Sequence, residues 1–394
     1  MIWGAIGAAG ALASSALVLA LRERSRRLKA ELETTAAERD QAKAAIEGLR
    51  VDLEQINLEV RRLQALTSPL PMDSERLWPG LEDWSEGRLL DLAARLVYVR
   101  PLIPYPYWRF DADWDSRDFS FALRRRVWQA FHHRQLDSAL EMKWYRDIQL
   151  VLHLRNDIGR QLFVTGTIDP NEFAWLETVL QPGMTFLDAG ANEGIYSLFA
   201  AAHVGAEGKV WSFEPSQRDH RRLIENLERN HLSQITPFQI ALGANDVETT
   251  LSVAREEHSG HNTLGHFVYD GVSSDRRETV ALLRLDSLVR QEGLTRLDVV
   301  KADIEGAEFA FLQGADEVLR KFRPILLLEF AGASLRAQGA SPEQMAGHLR
   351  SLNYTLYTFD SNSGLPELAG LDLASWSHNV IAWPAERPMP FGTD

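Results

Sequence analysis

From residue 183 onward, short apolar runs alternate with segments of helical spacing, and this alternation constrains the fold most. TFLDA at 185–189 is followed by an apolar helical pattern over 194–204, and KVWSFEP at 209–215 by a second pattern over 216–230. Strands of this kind that alternate with helices are typical of a mostly parallel sheet with helices on both faces. The chain is therefore expected to contain an α/β, doubly wound, Rossmann-like domain.

The same alternation continues toward the C-terminus. Further strands are predicted at TPFQIALG, LDVVKAD, PILLLEF, NYTLYTF and NVIAWP, and a further helix at 342–352. Ligands of such sheets bind at the carboxyl ends of the strands. The residues expected at that edge are Asp188–Gly194, Glu214, Ala241–Gly243, Asp303–Gly306 and Glu329.

The turn after the first strand reads LDAGANEGIYS, with G-x-N-x-G in place of the dinucleotide-binding G-x-G-x-x-G. Gly190 and Gly194 allow left-handed angles and let a ligand approach the main chain, and Asn tolerates the same angles. Asn192 places a side chain where a pyrophosphate would need room. Asp188, the loop amides and Asn192 can instead bind the amino-acid end of a ligand without phosphate. The alternative is an ordinary tight turn.

Glu214 lies at the end of the second strand, 20 residues after Gly194. An acid at this position can accept hydrogen bonds from the ribose hydroxyls of an adenosine. Because nicotinamide dinucleotides also contain adenosine, Glu214 does not identify the cofactor. The alternative is an acid at the N-terminus of the helix that follows Pro215.

KADIEGAE at 301–308 follows a strand that should be buried on both faces. A buried lysine is costly unless it is paired, and Asp303, two residues after Lys301, points the same way. The alternative to a catalytic role for these two residues is a structural ion pair. Glu329 adds a carboxylate near the same edge, but without a set ligand spacing no metal site is predicted.

The polar segment REEHSGHNTLGHF, at 255–267, lies between two strands. His258, His261, Asn262 and His266 either line an acceptor pocket or belong to a solvated loop over the cleft. A His-x-x-His spacing in a glycine-containing loop is weak support for a metal site.

From about residue 148 to 383 the chain resembles the FkbM-type family of S-adenosylmethionine-dependent methyltransferases. The resemblance rests on VTGTIDPNEF, FLDAGANEGIYSLFAA, VWSFEPS, the ALG turn, LDSL and DVVKADIEGAEFAFLQGA, with PILLLEF after it. It implies a class I methyltransferase-like fold, S-adenosylmethionine as cofactor, and a hydroxyl acceptor on a glycan, a lipid-linked saccharide or another secondary metabolite. The expected cofactor-binding residues are Asp188, Gly190, Asn192, Gly194, Glu214 and Ala241, the last with its backbone beside the adenine.

Methyl transfer to a hydroxyl needs positioning and removal of the hydroxyl proton. We therefore expect Asp303 to act as the base or to anchor the acceptor, with Lys301 in support. Two other functions are considered: a nicotinamide-dependent oxidoreductase, and a membrane-anchored coiled-coil scaffold with an inactive methyltransferase fold. The carboxylates of Asp188, Glu214 and Asp303 argue against the scaffold.

Residues 1–21 contain no charged side chain, and about 20 apolar residues span a bilayer core. RERSRRLK follows, whereas a signal peptide carries its positive charge before the apolar stretch. The positive-inside rule places everything after Arg22 in the cytoplasm. We therefore expect a single-pass membrane protein with a cytoplasmic catalytic domain. The alternatives are a cleaved leader and a weakly inserting helix.

Residues 22–66 have no proline, one glycine and an apolar 3-4 spacing that is unbroken from Ala42. This pattern predicts a coiled coil and self-association as a homo-oligomer, although the helix can alternatively pack on its own catalytic domain. The segment carries ten basic and nine acidic residues, a net charge of +1, so the rest of the chain carries −14, which gives the total of −13. An acidic body argues against a nucleic-acid partner.

The segment 67–147 is rich in tryptophan and proline and precedes the predicted methyltransferase domain at 148–394. Residues 78–144 hold six of the 11 tryptophans. They can stack on sugar rings or pack a partly helical cap, with a helix predicted over 119–142. Cysteine is absent, which excludes disulfides, thiolate metal sites and cysteine nucleophiles.

Overall fold

The computed structural model describes residues 80–105, 119–370 and 379–388. The predicted anchor at 1–21 and coiled coil at 22–66 lie outside these residues. Within the described ranges, no helix has both the length and the apolar character needed to cross a membrane. The described residues, apart from Phe119, belong to one compact unit.

Thirteen strands and eleven α-helices make up the described ranges. The strands are β1 (Ala139–Lys143), β2 (Gln149–His153), β3 (Thr185–Ala189), β4 (Lys209–Phe213), β5 (Ile235–Phe238), β6 (Ala241–Leu242), β7 (Val247–Ala254), β8 (Ser274–Leu283), β9 (Val299–Ala302), β10 (Ile325–Glu329), β11 (Tyr354–Phe359), β12 (Pro366–Leu368) and β13 (Asn379–Pro384). The helices are α1 (Glu86–Leu96), α2 (Phe119–His133), α3 (Asp157–Thr165), α4 (Pro170–Val179), α5 (Ile195–Val204), α6 (Gln217–Asn230), α7 (Leu285–Glu292), α8 (Glu308–Gly314), α9 (Asp316–Phe322), α10 (Gly332–Ala337) and α11 (Pro342–Ser351).

The main sheet has eight strands in the order β12-β11-β13-β10-β9-β3-β4-β5. The five strands from β10 to β5 are parallel to one another. β13 lies between β10 and β11 and runs antiparallel to both. This order confirms the predicted α/β, mostly parallel sheet.

Successive residues of the central strands point to opposite faces of the sheet, and helices cover both faces, so the sheet is buried on each side. Leu187, Val300 and Leu326 pack in the core on one face, which helices α7, α8, α9 and α11 cover. Their neighbours in the chain, such as Phe186 and Val299, pack in the core on the other face, which α4, α5 and α6 cover. The sheet is therefore doubly wound, as the alternation of strands and helices predicts.

One predicted strand is divided between two sheets. TPFQIALG was expected to form a single strand, but β5 ends at Phe238 at the edge of the main sheet, and β6 pairs with β8 in a three-stranded sheet. Phe238, the last residue of β5, stacks on its β4 partner Phe213 with 4.8 Å between ring centroids. Ala241 instead joins a small separate core with Leu251 and Val280.

The helix predicted over 119–142 is too long. Helix α2 ends at His133, and Leu140 and Met142 then alternate with exposed residues in strand β1. β1 pairs antiparallel with β2, so the predicted domain boundary at residue 148 falls within this hairpin. Trp144, between the two strands, is buried and packs edge-on against Phe173, which is the packing role considered for the tryptophans.

Candidate functional site

A cavity of about 350 Å³ lies at the carboxyl ends of β3, β4, β9 and β10. Its volume is in the range typical of small-molecule sites. The loops after β3 and β9 form its floor, and the short helix Glu256–His261, which we call the cover segment, closes one side. Six of the eight predicted site residues line it, namely Gly190, Asn192, Glu214, Ala241, Lys301 and Asp303, whereas Asp188 and Gly194 do not.

The G-x-N-x-G loop has left-handed backbone angles at each of its three named positions, with φ of 80° at Gly190, 48° at Asn192 and 91° at Gly194. A Cβ on Gly190 would overlap the carbonyl oxygen of Asp303. A Cβ on Gly194 would lie 2.6 Å from a methyl carbon of Leu223. Glycine is therefore required at both positions, at the first because two backbone segments meet there.

Asn192 holds the loop to both of its neighbours. Its backbone N–H donates to Glu214 Oε2 at 2.9 Å, and its side-chain Nδ2 donates to the carbonyl oxygen of Ser259 in the cover segment at 3.1 Å. The side chain thus connects the loop to the cover segment, in addition to permitting the turn.

Lys301 is the centre of a buried charge cluster. Its Nζ lies 3.7 Å from Asp188 Oδ1 and 3.7 Å from Asp303 Oδ2, and it donates to the carbonyl oxygen of Gly190 at 3.2 Å. Burial lowers the pKa of Lys301, but the charges of Asp303 and Asp188 outweigh burial and raise it. Lys301 is therefore an ammonium that positions other groups, and it is unsuited to taking a proton.

Asp188 lies beneath the loop instead of facing the cavity. It is fully buried, it accepts a hydrogen bond from Ser197 Oγ at 2.6 Å, and it does not line the cavity. Burial raises its pKa, against the opposing charge of Lys301. The geometry therefore places Asp188 where it holds Lys301 and Ser197, and its predicted contact with the ligand's amino-acid end stays a prediction.

Glu214 lines the cavity where β4 ends. Its two oxygens accept from the backbone N–H groups of Asn192 and, at 2.8 Å, of Ser216. Burial, together with the charge of Asp219, raises the pKa of Glu214 to about 8. Each carboxylate oxygen keeps a further lone pair for a ligand hydroxyl, as the predicted ribose contact requires. Ala241 lines the cavity at the start of β6.

Three further glutamates lie in or near the loop after β9. Glu308 is fully buried and accepts from the N–H of Ile304 at 2.8 Å, so it shapes the loop. Glu305 has a left-handed φ of 51°. Glu329 lines the cavity, and its Oε2 is shielded from solvent without a hydrogen-bond partner. No cluster of three or more potential metal ligands occurs among the residues described here.

His261 projects from the cover segment into the cavity. Its Nδ1 lies 2.7 Å from Glu305 Oε1, and its ring is 6.1 Å from that of His258. Burial lowers the pKa of His261, but the hydrogen bond to Glu305 and the charges of Glu305, Asp157 and Asp303 outweigh it, so the pKa is raised. The sequence left a solvated loop as an alternative for this segment, whereas the structure places one of its histidines in the site.

Asp169 lines the site but was not among the residues that the sequence predicted for it. It lines the cavity at the N-terminus of α4, and the hydroxyl of Tyr196 donates to its Oδ2 at 2.9 Å. Its φ is 39°, so Asp169, Asn192 and Glu305 are three non-glycine residues with left-handed angles on one cavity. Such strain is concentrated at functional sites, but it cannot be read from a single sequence.

Comparison with known proteins agrees with this geometry. Residues 188–356 match the profile of the methyltransferase FkbM domain. AMB antimetabolite synthetase AmbE of Pseudomonas aeruginosa is 31% identical over 181 residues, which cover 38% of this chain and 8% of that protein. Methyltransferase sdnD of Sordaria araneosa is 29% identical over 157 residues, covering 33% of this chain and 60% of that protein.

The solved structure of methyltransferase FkbM from Methylobacillus flagellatus is also similar, with 16% identity and a TM-score of 0.35 over 58% of this chain and 55% of that one. The chain thus spans less than two thirds of the length of both curated relatives named above. The matched segment begins at Asp188 and contains the G-x-N-x-G loop, Glu214, Lys301 and Asp303. Residues 188–356 of this chain are therefore similar in sequence to the methyltransferase FkbM domain.

Proposed function

We propose that the cavity binds S-adenosylmethionine and that the enzyme transfers its methyl group to a hydroxyl of a glycan, a lipid-linked saccharide or another secondary metabolite. The observation that carries the proposal is the G-x-N-x-G loop at the carboxyl end of β3. There Asn192 bonds to Glu214 through its backbone N–H and to the cover segment through its side chain, at a position where the dinucleotide-binding motif has glycine.

The residues of the cavity fit this cofactor. Glu214 has lone pairs for the ribose hydroxyls, Ala241 offers backbone for the adenine, and Phe213 supplies an aromatic wall. The cofactor brings a sulfonium and an ammonium, and the cavity is lined by more carboxylates than cationic side chains. An acidic site attracts a cationic ligand and is unfavourable for the phosphates of a dinucleotide.

The cofactor supplies a methyl group on a positively charged sulfur. The protein has to place the acceptor oxygen in line with that carbon and remove its proton. Asp303 is suited to the second task because its side chain is 35% exposed and lines the cavity. The Nζ of Lys301 holds the Asp303 carboxylate in place from 3.7 Å. We therefore retain Asp303 as base or acceptor anchor and assign Lys301 a positioning role.

The proposal extends to the segments that lie outside the described residues. An anchor at 1–21 and a coiled coil at 22–66 would hold a self-associating enzyme on the cytoplasmic side of a membrane, where a lipid-carried acceptor is within reach. Fractionation of cells with and without residues 1–21 tests the anchor. Recovery of the full-length protein in the soluble fraction would contradict it.

Ligand binding separates the proposed function from a nicotinamide-dependent oxidoreductase. We expect S-adenosylhomocysteine to raise the melting temperature of the full-length protein and NADH to leave it unchanged. A shift with NADH alone would overturn the proposal. If neither ligand shifts the melting temperature, the scaffold function with an inactive fold is favoured.

A further inference from the structure

The charge balance around Lys301 is uneven. Its Nζ lies between the carboxylates of Asp188 and Asp303, and the charges of Asp169 and Glu329 also raise the pKa of Lys301. Glu172, three residues after Asp169, adds another buried carboxylate. Buried carboxylates need a positive partner, or they take up a proton. Asp188 and Asp303 share the lysine at 3.7 Å each. A ligand that brings a positive charge to Asp169 would correct the imbalance.

Asp169 is held ready for such a ligand. The Tyr196 hydroxyl fixes its Oδ2 from 2.9 Å, and Tyr196 is itself held by stacking on Phe173, with 4.4 Å between ring centroids. The left-handed φ of 39° at Asp169 sets where the carboxylate lies. A strained backbone and a rigid partner indicate that the position of this carboxylate matters.

The sheet order shows which end of the ligand Asp169 would meet. Glu214 follows β4, Lys301 belongs to β9, and β3 lies between these two strands. The ends of β4 and β9 are therefore two strand spacings apart, or about 10 Å. If Glu214 takes the ribose, the amino-acid end of the ligand extends toward the side of β9. Asp169 lines the same cavity as Lys301 of β9 and Asp303 of the loop after it.

We infer that Asp169, positioned by Tyr196, binds the ammonium group at the amino-acid end of S-adenosylmethionine. Its carboxylate accepts a hydrogen bond from that ammonium and balances its charge. This inference rests on the proposed function and moves the predicted contact of Asp188 to a residue that lines the cavity. Asp188 and Lys301 support the loop from below, and Asp169 completes the site from α4. Tyr196 is a positioning residue, because it acts on the ligand through Asp169.

Calorimetry with two ligands tests the inference on the full-length protein. S-adenosylhomocysteine has the amino-acid end, and 5′-methylthioadenosine lacks it. A hydrogen bond to a charged group contributes enough to change Kd about tenfold or more. Asp169→Asn should therefore weaken S-adenosylhomocysteine about tenfold or more and change methylthioadenosine by less than about twofold. Tyr196→Phe should show the same selectivity with a smaller loss.

Glu177→Gln is the matched control, since Glu177 lies on the same helix but does not line the cavity. It should leave both affinities unchanged. Equal weakening of both ligands by Asp169→Asn would show that Asp169 only shapes the cavity, and an unchanged affinity for both would show that it makes no contact. Either result overturns the inference. A wild-type protein that binds neither ligand would instead refute the proposed function.

Discussion

Gly190→Ala tests whether the G-x-N-x-G loop needs glycine because two backbone segments meet there. A left-handed residue with a Cβ costs about 1–2 kcal/mol, and φ at Gly190 is 80°. The new Cβ would overlap the carbonyl oxygen of Asp303 and lie 3.2 Å from Ile304 Cγ2. Overpacking of this kind adds about 1–3 kcal/mol. The free energy of unfolding should therefore fall by about 2–5 kcal/mol in total.

Gly183→Ala provides the matched control. Gly183 has nearly the same φ, 81°, but a Cβ there meets nothing within 4 Å, so only the backbone cost of about 1–2 kcal/mol applies. Urea unfolding of both variants and calorimetry with S-adenosylhomocysteine measure the difference. We expect Gly190→Ala to be the less stable variant and the only one of the two that loses affinity. Equal stability and equal affinity of the two variants would refute the close-approach argument.

Three further predictions concern the charge cluster, the tryptophan packing and the cover segment. Lys301→Met should lower the free energy of unfolding by about 3–5 kcal/mol, because it leaves Asp188 buried without a counter-charge. Adding Asp188→Asn to this variant should recover part of the lost free energy, as measured by urea unfolding. Trp144→Ala should cost about 3–5 kcal/mol of stability and leave the affinity for S-adenosylhomocysteine unchanged, whereas a selective loss of affinity would point to ligand binding. His261→Gln should lower the melting temperature most below about pH 6.5, the ordinary pKa of histidine. The pKa of His261 is raised in the folded protein, so its stabilisation is fully present below that pH and disappears as pH rises through the folded pKa. A difference in melting temperature that does not vary with pH would contradict this role of the contact with Glu305.

The strands of the main sheet other than β12 could be predicted from the sequence because each is a short apolar or alternating run. The break after Phe238 could not, because β5 and β6 form one apolar run, and only the pairing of β5 with β4 and of β6 with β8 shows where the first strand ends. The helix predicted to reach residue 142 fails for a similar reason, since the alternation of Leu140 and Met142 covers only five residues.

The site was predictable where the loop sequence itself carries the chemistry, as at Gly190. It was not predictable where contacts between distant residues decide the role. Asp188 points beneath the loop because Ser197 and Lys301 bind it there. Asp169 reaches the cavity because it meets Tyr196, 27 residues later in the chain. Neither direction follows from the spacing of apolar residues.

The central claim is that this chain transfers a methyl group from S-adenosylmethionine by means of Asp303. Under the proposed function, cells of the source organism that lack the gene are expected to contain the unmethylated acceptor, so their extract and membranes are the substrate to offer the full-length enzyme with methyl-labelled S-adenosylmethionine. We expect the wild-type enzyme to label this material, and Asp303→Asn to do so about a hundredfold more slowly, the low end of the contribution of a general base. Absence of label with the wild-type enzyme, or equal labelling by both proteins, would contradict the account.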